Sequence, residues 1–203
     1  MKVVVFGATG GTGRAAVELA AARGDQVTVF ARRPERLRVG GGVRVVEGDA
    51  QDPVAVARAI EGQDAVMSAL GGRPWRHRDV CSAGVRHILD GMRAHGVARL
   101  VVISAFGVGD SRHGLGRLAR GVVLPLLRRH LADKARMEEI VRASDVAWTI
   151  VRPSLLTRGA PRGRWRVADG GIPGGFITRS DLAAFCLVQL GTDEYLHRSP
   201  TVG

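Results

Sequence analysis

The start of the chain constrains it most: an apolar run, Val3-Val4-Val5-Phe6, breaks directly into Gly7-Ala8-Thr9-Gly10-Gly11-Thr12-Gly13. Branched and aromatic residues favour extended backbone, so the run reads as a strand. Each glycine of the turn has a physical task. Gly7 turns the chain off the strand, Gly10 and Gly11 let bare backbone N–H groups approach a phosphate, and Gly13 lets the following helix pack closely on the sheet. Thr9 and Thr12 add hydroxyl donors, and Arg14 adds a charge. The helical pattern Ala15–Ala22 stops at Arg23-Gly24, and Gln26–Ala31 is a second strand. Strand, glycine turn, helix and strand make a βαβ unit, whose helix N-terminus is built to hold a nucleotide pyrophosphate.

At the end of the second strand, a fold of this kind offers the adenosine ribose either an acid or a cation. This chain has Arg32-Arg33 there, followed by Arg36. A carboxylate would repel a 2′-phosphate, whereas a guanidinium binds it through two parallel hydrogen bonds. The expected cofactor is therefore NADPH rather than NADH.

Strands and helices go on alternating without repeats or a linker. Val43–Glu47 is a strand closed by Gly48-Asp49-Ala50, and Pro53–Ile60 is a short helix with proline at its start. Asp64–Ala69 is the next strand, ending in Leu70-Gly71-Gly72. Residues 79–95 form a helix with Val80, Gly84, Ile88 and Met92 on one face, and Arg99–Ser104 is a fully buried type of strand. Trp165-Arg166-Val167 is expected as a further strand, and Ser180-Asp181-Leu182 as the capped start of the last helix. The order predicts an α/β chain, a Rossmann-like doubly wound parallel sheet. All 203 residues form one domain, with a small substrate-side portion at about 153–178. Ligands collect beyond the carboxyl ends of such strands. Asp49 and Ala50 are placed there for the adenine, and Leu70, Gly71 and Arg73 along the cofactor.

A formal charge of +11 raises the question of nucleic acid. The charge is nearly all arginine spread over the chain, and aromatic residues make up only 4%, so no stacking platform accompanies it. A compositional bias together with attraction of an anionic cofactor and substrate accounts for it instead, and nucleic acid is not expected as a partner. The two cysteines, Cys81 and Cys186, fall in helical patterns and read as reduced, buried thiols. No apolar run approaches a membrane span and no leader is evident, so a cytoplasmic location is expected. No metal centre is expected.

Gly7–Gly13, Gly48-Asp49-Ala50, His95-Gly96-Val97, Ile103-Ser104-Ala105-Phe106, Thr149-Ile150-Val151-Arg152-Pro153 and Thr192-Asp193-Glu194-Tyr195 carry a resemblance. Together they resemble the atypical short-chain dehydrogenase/reductase group that includes NmrA-like proteins, and within it the flavin and biliverdin IXβ reductases. The resemblance implies NADPH binding, a flavin taken as substrate rather than as a tightly held cofactor, a planar tetrapyrrole as a further acceptor, and a monomer or weak homodimer. It also admits a redox sensor that binds NADP(H) without turnover, and a reductase of a quinone or other small carbonyl compound.

Ordinary short-chain dehydrogenases protonate their product with the tyrosine of Tyr-x-x-x-Lys. The single tyrosine here is Tyr195, outside any such motif, so that chemistry is excluded. His130 and Lys134 stand four apart on one helical face, His130 as a candidate proton donor and Lys134 as a candidate partner of the nicotinamide ribose. Ser104 ends the central strand where the nicotinamide would arrive, and the family carries a functional serine at the matching position. Pro153, Ser154 and Leu155 are expected on the other side of that ring. Trp75 and Phe106 are candidates to stack on the acceptor, with Ser111 and His113 as further substrate contacts. Where the related flavin reductases have histidine after a Pro-Pro pair, this chain reads Arg152-Pro153-Ser154, which favours a flavin over a tetrapyrrole. Hydride transfer to a flavin needs positioning more than a strong acid.

Overall fold

The computed structural model describes residues 1–37, 42–71, 79–109, 111, 117–168 and 175–203, with backbone alone for Arg36 and residues 117–128. The chain runs β1 (Lys2–Phe6), α1 (Gly11–Ala22), β2 (Gln26–Ala31), β3 (Arg44–Glu47), α2 (Pro53–Ile60), β4 (Ala65–Ser68) and α3 (Val80–His95). It continues through β5 (Arg99–Ile103), α4 (Arg117–Arg142), β6 (Ala147–Pro153), β7 (Leu155–Thr157), β8 (Val167–Ala168), β9 (Phe176–Thr178), α5 (Arg179–Gln189) and β10 (Thr201–Val202). The main sheet is ordered β3-β2-β1-β4-β5-β6-β10-β8, parallel throughout except where β8 meets β10. The order reverses direction between β1 and β4, and at such a switch point the loops diverge to leave a crevice. β7 and β9 form a separate parallel pair.

Burial on both faces explains the apolar runs. Val3 and Val5 pack in the layer with α1 and α5, whereas Val4 and Phe6 pack in the layer with α2, α3 and α4. β5 alternates in the same way, Val101 and Ile103 on the first face and Leu100 and Val102 on the second. A strand buried on both faces has no polar face to show.

The helix ends follow local chemistry. Pro53 opens α2, and the Asp52 carboxylate accepts from Val54 N at 3.0 Å and Ala55 N at 3.2 Å. α3 stops at Gly96 in the left-handed region, φ +68°. Three expectations need correction. The last helix is capped by Thr178, not Ser180, because the Thr178 hydroxyl accepts from Asp181 N at 3.0 Å. Trp165 lies outside the strand expected at 165–167: the strand is Val167–Ala168, and the indole packs edge-on against Phe185 at 5.7 Å. α1 also begins at Gly11, inside the glycine run, rather than at Ala15. Cys81 and Cys186 are buried and free as expected.

Candidate functional site

The glycine turn is shaped by contacts at the switch point. Gly7 has φ +77°, and a Cβ there would stand 2.9 Å from Leu70 N, against the exit of β4. A Cβ on Gly13 would meet Gly7 C at 2.8 Å and Ala8 Cα at 2.9 Å, so the helix sits too close to the turn for any side chain. At Gly10 only Gly7 O comes within 3.2 Å, leaving the position open on its other sides. Gly10 is the N-cap of α1, and no side chain caps that end. Among the described residues no side chain accepts from the first-turn N–H groups of α1, the condition that makes a helix N-terminus attractive to an anion.

From this turn a cleft of about 660 Å3 runs along the carboxyl ends of β1, β2, β3 and β4. Gly7, Thr9, Gly10, Arg32, Arg33, Asp49, Ala50, Leu70 and Gly71, all expected at a cofactor, line this one space. Arg14, Phe30, Gly48 and Val80 line it as well. Gly48 is glycine for a packing reason, since a Cβ would stand 2.7 Å from the Phe30 ring. Arg32 reaches Asp49 at 3.6 Å, both half-exposed, so the cation at the end of β2 is oriented across the cleft by the acid at the end of β3. Asp49 Oδ1 also accepts from Gln51 N at 3.1 Å. Thr12 and Gly13 are buried behind the turn, outside the lining. Arg73, Trp75, His113 and the Arg36 side chain lie outside the described residues.

A second group gathers beyond β5 and β6. Ser104 N donates to Val151 O at 2.8 Å and Phe106 N to Pro153 O at 3.1 Å, which brings Ser104 and Ser154 to the ends of adjacent strands. Their hydroxyls are buried and form no hydrogen bond among the described residues. Buried polar atoms are nearly always satisfied, so these two hydroxyls at adjacent strand ends are candidates for a polar ligand atom, although Gln63, Gln189 and Thr201 also hold buried polar atoms without a partner among the described residues. Leu155 is exposed beside them. Ser111, by contrast, spends its hydroxyl locally, accepting from Gly107 N at 2.9 Å and donating to Val108 O at 2.6 Å. It closes its own turn.

Lys134 joins the two groups. Its buried ammonium donates to Leu70 O at 2.9 Å and to Ile103 O, tying the ends of β4 and β5 together and using two of its three donors. His130, one turn earlier, is half-buried; burial and the Lys134 charge hold its pKa below the usual histidine value, against a smaller pull from Asp133. It is therefore neutral at pH 7. Tyr195 packs its ring on Phe185, and its carbonyl accepts from Thr149 Oγ1 at 2.9 Å.

Four charged residues here, Glu138, Arg142, Arg152 and Asp133, were given no role from the sequence. Glu138 and Arg152, each at most 1% exposed, form a two-pronged pair at 3.0 and 2.8 Å, and Arg142 adds a third contact at 2.7 Å. Burial raises the Glu138 carboxyl, but hydrogen bonding from Arg152 above all holds it below the ordinary glutamate value. Ser104 neighbours the same carboxylate without a well-formed hydrogen bond to it. Asp133 accepts from Cys81 N at 2.9 Å, Ser82 N at 3.1 Å and Ser82 Oγ at 2.6 Å, capping α3 from α4. The Glu138/Arg142 spacing of four was the one legible signal.

A family model described as NAD(P)H-binding matches residues 7–193, from the first glycine of the turn to the segment after α5. The chain belongs to this NAD(P)H-binding family. This membership supports the atypical short-chain dehydrogenase resemblance that the motifs carry. A (4-alkanoyl-5-oxo-2,5-dihydrofuran-3-yl)methyl phosphate reductase of Streptomyces griseus is 34% identical over 93% of this chain and 62% of its own length. The sanguinarine reductase of Eschscholzia californica is 24% identical over the whole chain and 89% of its own. Among solved structures, an anaerobillin reductase, ChuY, of Escherichia coli superposes with a TM-score of 0.82 over the whole chain and 96% of its own, at 24% identity, which shows the shared fold. The chain spans about three-fifths of the length of the Streptomyces relative and of an Arabidopsis thaliana chloroplast protein that it also matches. Among the described residues no helix is long and apolar enough to cross a membrane.

Proposed function

We propose that this chain is an NADPH-dependent oxidoreductase whose acceptor is a planar conjugated molecule, a flavin such as FMN or riboflavin foremost and a tetrapyrrole next. The observation that carries it is the single cleft with a glycine cradle at one end and Arg32 and Arg33 at the other. Membership of an NAD(P)H-binding family and the reductase names of two relatives support the same reading. The cradle fits a dinucleotide: a Cβ at Gly7 or Gly13 would collide with backbone, and the uncapped end of α1 faces the phosphates.

When bound, NADPH supplies the hydride. Arg32 and Arg33 hold its 2′-phosphate, Asp49 and Ala50 face the adenine, and Thr9, Gly10 and Gly11 carry the pyrophosphate. Ser104 and Ser154 offer their unpaired hydroxyls at the nicotinamide end, with Pro153 and Leu155 beside them. Lys134 holds the β4 and β5 ends in register and has one donor left for a ribose hydroxyl. Among the described residues no strong acid stands in the site, since burial and the Lys134 charge disfavour the charged form of His130, and an acceptor that delocalises its negative charge and takes its proton from water suits that arrangement.

The decisive measurement is NADPH consumption with FMN, riboflavin, a quinone and biliverdin. Turnover fastest with a flavin is expected. No turnover with any acceptor, alongside tight NADP binding, would leave a cofactor sensor, a role that the absence of a strong acid also fits. Arg32→Ala tests cofactor choice and should lower affinity for NADPH while leaving NADH nearly unchanged.

A further inference from the structure

Arg179 was given no role above, yet it lies against the cradle. It is the first residue of α5, held at a rigid corner: Thr178 Oγ1 accepts from Asp181 N at 3.0 Å and donates to Asp181 Oδ2 at 2.7 Å. The Asp181 carboxylate also accepts from Arg162 N at 2.9 Å and Gly163 N at 3.0 Å. From that corner the Arg179 side chain runs back over α1. A Cβ built on Gly11 would stand 2.7 Å from Arg179 Nε and nearer still to Cδ, so any side chain there would push Arg179 off this path. Nη1 donates to Thr157 O at 3.3 Å, three residues beyond Ser154. Among the described residues no carboxylate is paired with the guanidinium, which carries five donors.

We infer that Arg179 is a cofactor-phosphate residue, closing the pyrophosphate cradle from α5 and complementing Arg14 on the cleft side. The inference rests on the cofactor placement proposed above. Its geometry matches what an oxyanion requires, a cation beside first-turn N–H groups that no side chain caps. Because both nicotinamide dinucleotides carry the pyrophosphate, Arg179 serves NADPH and NADH alike. In this it differs from Arg32 and Arg33.

The test is a binding titration, followed by nicotinamide fluorescence, of NADPH and of NADH to the wild type and to Arg179→Ala, Gly11→Ala and the double variant. Arg179→Ala should weaken both nucleotides by roughly tenfold to a hundredfold, the range of a hydrogen bond to a charged group, with their ratio unchanged. Gly11→Ala should reproduce much of that loss by displacing the side chain, and should add little once Arg179 is gone, a non-additivity expected only of a shared mechanism. Melting curves without nucleotide report folding. If Arg179→Ala fails to fold, Arg179→Met, which keeps an apolar stem over α1 and removes the charge, carries the test and should show the same loss for both nucleotides. Binding of both nucleotides within about twofold of wild type by Arg179→Ala, or a loss confined to NADPH, overturns the inference. A wild type that binds neither nucleotide overturns the cofactor placement itself, and this inference with it.

Discussion

Glu138→Gln is the sharpest probe of the machinery under Ser104. The amide keeps the shape of the carboxylate and removes its charge, leaving the Arg152 guanidinium, 1% exposed, without its buried counter-ion. Contacts of 3.0, 2.8 and 2.7 Å to Arg152 and Arg142 are weakened together. Breaking a buried pair from one side costs about 3–5 kcal/mol, a large share of the roughly 5–15 kcal/mol that holds such a domain together. At about 2–4 °C per kcal/mol for a chain of this size, the melting temperature should fall by roughly 6–20 °C. Urea unfolding at pH 7 measures the cost directly. Replacing both partners, Glu138→Leu with Arg152→Met, should recover most of it, because the desolvation penalty leaves with the charges. The folded-state pKa of Glu138 lies below its ordinary 4.5, so its contribution is present above that value and lost as pH falls through the lowered one. The gap between wild type and Glu138→Gln should therefore close under acid conditions. A variant within about 0.5 kcal/mol of wild type at neutral pH would refute the reasoning, since it would mean that the pair carries no net burden of burial.

Ser104→Ala removes a hydroxyl that makes no well-formed hydrogen bond among the described residues, although it neighbours the Glu138 carboxylate, so stability by urea unfolding should change by less than about 1 kcal/mol while turnover drops at least about tenfold; a large destabilisation would show that the hydroxyl is structural. Asp133→Ala uncaps α3 by removing three accepted hydrogen bonds and should cost roughly 2–3 kcal/mol by the same assay, with Asp133→Asn restoring part of it. For His130, burial and the Lys134 charge place the folded pKa below 6.5, so the rate should be flat from that value upward and His130→Gln should match it; a rate that declines as pH rises past 6.5 would make His130 the proton donor after all.

Much of the cofactor side was legible because it depends on local geometry. A glycine turn between a β-branched strand and a helix has few backbone solutions, and strand ends in a doubly wound sheet converge by topology. Hence Gly7, Arg32, Asp49 and Leu70 could be named from spacing and then found on one cleft. The strands' apolar runs likewise announced burial on two faces, as Val3 to Phe6 show.

What sequence could not disclose depends on partners far apart in the chain. Glu138 and Arg152 look like surface charges until α4 packs on β6 and removes water from both. Asp133 caps a helix more than fifty positions earlier, at Cys81 and Ser82, in place of a residue in the local sequence. Arg179 meets Gly11 only because α5 returns beside α1. Local backbone preference therefore determined the turn, the strands and the likeness to an NAD(P)H-binding fold, since those terms act between near neighbours. Which charges are buried, which described hydroxyls lack partners and which cation lies beside the glycine turn were decided by tertiary packing, because desolvation is a property of the assembled fold.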